Sequence, residues 1–69
     1  MVEVFKTNVQ KKTQGNRLLG ILANAYPAFN INFDLSDRDK ILRVEGEQME
    51  ILPIMQLVRQ HGFSCEVLE

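Results

Sequence analysis

The stretch Phe29-Asn30-Ile31-Asn32-Phe33-Asp34-Leu35 constrains this chain more than any other. Large apolar residues occupy every second position and short polar ones lie between them, the period of a strand with one buried and one wet face. The residues that follow, Ser36-Asp37-Arg38-Asp39, are short and polar enough to bond their own backbone, so the chain reverses there. Residues 40–45 return as a second strand, with Leu42 and Val44 as inward candidates. The result is a β-hairpin whose apolar face must be covered by the rest of the chain.

The flanking segments supply that cover. Residues 2–9 are rich in β-branched side chains and read as a first strand, with Val2 and Val4 on one face and Phe5, Thr7 and Val9 on the other. Residues 10–16 form a polar loop. Residues 13–26 take a helical period, with Leu18, Leu22 and Ala25 at i, i+4 and i+7 and Leu19 and Ile21 beside them. Thr13 is the expected N-cap, and Pro27 stops the helix. A second helix is expected over residues 50–61, carrying Ile51, Ile54, Leu57, Val58 and His61 at helical spacing. Pro53 belongs in its first turn, where a missing N–H costs little. Gly62 suits the left-handed residue after its end. Residues 63–68 read as a last strand, with Phe63, Cys65 and Val67 on one face.

Strand, helix, strand, strand, helix, strand makes an α+β chain. Its expected form is a ferredoxin-like βαββαβ sandwich, a four-stranded antiparallel sheet with two helices on one face. Right-handed crossovers put the first and third strands in the middle. The expected core is Phe5, Thr7, Val9, Leu18, Leu22, Ile31, Phe33, Leu42, Val44, Ile54, Leu57, Val58, Phe63, Cys65 and Val67. The open face carries Asn30, Asn32, Arg43 and Glu66, together with Val2, Val4 and Ile41. Those three apolar residues, with unpaired edge strands, point to self-association as a homodimer.

Composition narrows the function. The 69 residues make one domain, with net stability of roughly 3–5 kcal/mol from a single core. Eight basic and nine acidic residues leave a net charge of −1, which gives no general attraction to nucleic acid or anionic membrane. No apolar run approaches the roughly 20 residues that span a bilayer. The opening Met1-Val2-Glu3-Val4 has neither the basic segment nor the cleavage site of a secretion signal, and the expected location is the cytoplasm. With Cys65 as its only cysteine, the chain can form no internal disulfide. Ser36 and Ser64 lack a histidine at catalytic spacing, and no phosphate-cradling glycine loop is present, so neither catalysis nor a cofactor is expected. An RNA-recognition domain of this topology needs aromatics on its open face. Here the central strands present Val2, Val4, Lys6, Ile41, Arg43 and Glu45.

Four segments carry a resemblance: Val4-Phe5-Lys6-Thr7-Asn8-Val9, Asn32-Phe33-Asp34-Leu35, Leu42-Arg43-Val44-Glu45-Gly46 and His61-Gly62-Phe63-Ser64-Cys65-Glu66-Val67-Leu68. Taken together, they resemble the heavy-metal-associated domain of small copper chaperones and copper-transporting ATPases. The resemblance implies the sandwich fold over nearly the whole chain. That family holds its metal with a Cys-x-x-Cys pair after the first strand, where two thiolates suit copper(I). The matching stretch here is Gln10-Lys11-Lys12-Thr13-Gln14-Gly15, which has no Cys, His, Met, Asp or Glu. The implied protein is a relative without the family's metal ligands, acting on an unknown protein partner as an interaction or structural module.

Individual residues carry the remaining expectations. Cys65 is expected to be a buried small hydrophobe, and His61 to serve as a cap at a helix end. Together in a dimer they are the candidates for a copper or zinc carrier. Met49 and Met55 read as core fillers or surface residues. Lys11, Lys12 and Arg17 surround a helix start, where free N–H groups and positive potential favour an anion or an acidic partner surface. A small-ligand regulatory domain of the amino-acid-sensing type is a third reading of the same topology.

Overall fold

A computed structural model of the chain describes residues 1–69. Its elements are β1 (Val2–Thr7), α1 (Lys12–Ala25), β2 (Asn30–Asp34), β3 (Ile41–Glu45), α2 (Ile51–Gln60) and β4 (Cys65–Val67). The strands form one antiparallel sheet in the order β2-β3-β1-β4. Strands one and three are central, as right-handed crossovers require.

The register shows why this pairing holds. Phe5 lies opposite Leu42, and Val44 lies between Glu3 and Ile31, so the inward residues of adjacent strands line up. Phe5, Leu42 and Val44 are fully buried, and Leu18, Leu22, Ile54 and Val58 from the helices close over them. Met49 and Met55 complete the core, their unbranched side chains filling the space at the start of α2. Ile31, Phe33, Leu57 and Phe63 pack against this cluster but stay half-buried. Val67 differs from expectation. It shares the inner face with Phe5 and Cys65 yet is 38% exposed, at the last position of the edge strand β4, while Cys65 at its first is fully buried.

The element boundaries are set by side-chain hydrogen bonds. The cap of α1 is Lys11 and not Thr13, which lies exposed inside the helix. Gln14 causes the difference: its Oε1 accepts the Lys11 N–H at 3.1 Å, fixing the helix start two residues earlier than a Thr13 cap would. β1 ends at Thr7 and β4 starts at Cys65, because Asn8 Oδ1 accepts the Ser64 N–H at 2.8 Å where a ladder bond would otherwise form. Gly62 takes φ +90° after α2, a left-handed conformation that L side chains rarely adopt. Tyr26 and Phe29 stack with ring centroids 5.3 Å apart and clamp the Pro27 turn. The Phe29 ring lies against Gly46, where any Cβ would overlap it.

Leu42→Ala, at the centre of this core, should cost about 2–5 kcal/mol, the whole stability of a domain this small. The glycines give a paired test. Gly46→Ala drives a methyl into the Phe29 ring and should lower the urea midpoint. Gly20→Ala meets nothing within 4 Å in the middle of α1 and should stabilise by about 0.5–1 kcal/mol. Equal midpoints for the two alanine variants would show that Phe29 does not hold the α2-side turn closed.

Candidate functional site

Two clefts flank α1, and both are organised by the short segment that leaves β1. The Thr7 hydroxyl is buried and donates to the Lys40 carbonyl at 2.5 Å, while its oxygen accepts the Val9 N–H at 3.3 Å. The Thr7 N–H also donates to the Asp39 carbonyl at 3.1 Å. These bonds fix the tip of the β2–β3 hairpin beside the start of α1.

The larger cleft, about 450 Å³, opens between that helix start and the end of β2. Gly15, Leu19, Phe33 and Leu35 form its floor, and Gln10, Lys12, Asn16, Asp34 and Ser36 its rim. A Cβ on Gly15 would sit 3.3 Å from Leu35 Cδ1, so the missing side chain lets α1 lie close on the hairpin. Asp34 Oδ1 accepts both the Ser36 hydroxyl at 2.6 Å and the Ser36 N–H at 3.2 Å. The hydroxyl bond chiefly holds the Asp34 carboxyl below its ordinary value, so this turn is intact above the usual carboxylate range and loosens as acid protonates Asp34. The cleft rim therefore carries one cation, Lys12, and one anion, Asp34.

The smaller cleft, about 120 Å³, lies on the other side of α1, where the helix meets the end of α2. Arg17, Gln14 and His61 line it with Leu18, Ile21 and Phe63. His61 caps α2: its N–H donates to the Val58 carbonyl at 3.1 Å, and Nδ1 lies 2.9 Å from the Leu57 carbonyl.

Lys11, Lys12 and Arg17 are thus not one cluster. Lys11 and Lys12 stand exposed at the helix start, and Arg17 faces the smaller cleft. Five residues advance a helix by about 500°, which carries Arg17 about 140° around the axis from Lys12. None of the three takes part in an ion pair; those present are Lys6–Asp39 at 3.9 Å and Arg43–Glu45 at 3.6 Å. The first turn of α1 holds no acidic residue, so the two lysines face the positive helix end unopposed.

Cys65 is fully buried. Desolvation pushes its thiol up from 9.0 to about 11, against the lowering field of Arg59, whose Nη2 donates to the Cys65 carbonyl at 2.7 Å. His61 is exposed. No three His, Cys, Asp or Glu side chains gather into a cluster. On the open sheet face Val2 is exposed and Val4 and Ile41 are half-buried. Leu68, 39% exposed with its N–H on the Val4 carbonyl, extends this apolar group, an addition the strand alternation did not bring out. No helix is long and apolar enough to cross a membrane.

No family model matches the chain, and neither a curated protein nor a solved structure matches it.

The buried thiol yields a test. A group held neutral by burial supports the fold fully below its unfolded pKa and loses that support as pH rises toward the folded value. Stability should therefore decline from about pH 9 toward pH 11, and Cys65→Ala should remove most of that decline. Under native conditions at pH 8, a thiol reagent should label Cys65 only as fast as the chain globally opens. Labelling that outruns unfolding would show a solvent path to Sγ.

Proposed function

We propose that this protein is a non-catalytic protein-interaction module, a relative of the heavy-metal-associated domain without its metal ligands, that docks a partner at the start of α1. One observation carries the reading: Lys11 and Lys12 stand exposed and unpaired at the positive end of α1, beside an apolar-floored cleft of about 450 Å³. Two cations in that position cost helix stability, because the macrodipole favours anions there. A partner carboxylate offsets that cost, and an adjacent apolar side chain fills the space over Phe33 and Leu35. The fitting partner is a protein segment that presents an acidic residue next to an apolar one.

The sheet order β2-β3-β1-β4 supports kinship with the heavy-metal-associated domain, and the Gln10–Gly15 loop departs from that family in lacking its metal ligands. Burial of Cys65 weighs against the alternative, a copper or zinc carrier that shares Cys65 and His61 between two molecules, since a metal-bound thiolate must be both ionised and reachable.

The double variant Lys11→Glu, Lys12→Glu separates function from fold. Acidic residues complement the helix start, so the double variant should be more stable by about 0.3–1 kcal/mol per charge, read as a higher melting temperature. Capture of the native partner should fall by tenfold or more, since like charges now meet across the interface. Undiminished capture by the double variant would refute the docking surface. A stoichiometric copper(I) or zinc complex lost on replacing Cys65 would refute the module's metal-free character.

A further inference from the structure

The smaller cleft is distinct from the docking surface and carries its own chemistry. We propose that it binds a small 2-hydroxy monocarboxylate with a short apolar chain. The lining supplies each part of that recognition. Arg17 has no carboxylate partner in the fold, and its guanidinium takes a carboxylate through two parallel hydrogen bonds. Gln14 uses its Oε1 on the Lys11 N–H, which leaves its NH₂ as a second donor at the same rim.

The role of His61 follows from its anchor. A backbone carbonyl only accepts, so the Nδ1 that lies 2.9 Å from the Leu57 carbonyl must carry the proton. In neutral His61 the free Nε2 is then an acceptor, which a donor on a ligand in the cleft can meet. A 2-hydroxyl placed beside the carboxylate provides that donor. An ammonium would also donate, but the cleft contains no carboxylate to balance its charge, whereas Arg17 is already positive. A hydroxy acid therefore matches the lining better than an amino acid does.

Leu18, Ile21 and Phe63 set the apolar end. The cleft is small, about 120 Å³, and its apolar wall is made by only these three side chains, which suits a short branch.

The test is an NMR titration of the intact ¹⁵N-labelled chain with each enantiomer of 2-hydroxyisovalerate, and with isovalerate, valine and inorganic phosphate. One hydroxy-acid enantiomer should give saturable shifts at Arg17, His61 and Phe63, with isovalerate about tenfold weaker for want of the hydroxyl. Arg17→Gln, an exposed substitution that leaves the core untouched, should weaken binding about tenfold or more. Lys12→Gln removes the same charge from the same helix outside the cleft and should change binding less than twofold. The proposal is overturned if no hydroxy acid saturates the site by 50 mM, if isovalerate or phosphate binds as tightly, or if Lys12→Gln weakens binding as much as Arg17→Gln. Each of these results leaves partner docking at Lys11 and Lys12 as it stood.

Discussion

The single turn from Thr7 to Val9 holds the architecture in place. Thr7 is the one buried polar side chain, and both faces of its hydroxyl are used: the proton goes to Lys40 and the oxygen takes the Val9 N–H. One residue on, Asn8 reaches the Ser64 N–H. The exit from β1 is thereby tied to the hairpin tip on one side and to the start of β4 on the other. A buried polar group left unpaired costs more than the bond itself contributes, so losing either partner of the Thr7 hydroxyl destabilises this junction. The walls of both clefts inherit their positions from it.

Much of the fold was legible because its signals are local. Alternation from Phe29 to Leu35 specified a one-sided strand, Pro27 and Gly62 marked helix ends, and the spacing of Leu18, Leu22, Ile54 and Val58 picked the buried helix faces. Boundaries were less legible. Asn8 and Gln14 shorten or lengthen elements through side-chain bonds that no periodicity encodes. The exposure of Val67 was also hidden, since alternation assigns a face and says nothing about where a sheet ends.

The clefts were illegible for a different reason. Each joins residues far apart in the chain, Gly15 to Leu35 in one and Arg17 to His61 in the other. Lys11, Lys12 and Arg17 are neighbours in sequence, and helical rotation parts them. A glycine one turn into a helix that faces a strand of Phe and Leu was the available sign of close approach. The helix that covers the sheet also partitions the surface, so one side offers charge at a helix end and the other an arginine and an imidazole over apolar walls. The lone thiol lines neither and is fully buried, which removes thiol chemistry from both.

Lys40 stands at φ 47°, a left-handed conformation that disfavours an L side chain. It stays there because its carbonyl receives the Thr7 hydroxyl and its Nζ donates to the Leu35 carbonyl at 3.0 Å. The hairpin tip is therefore latched from the core in addition to the turn bonds that its own Asp34 and Asp37 make. Arg38, whose side chain makes none of these bonds, can change the charge at the tip while the tip stays where it is, so the surface there is free to diverge without renegotiating the fold.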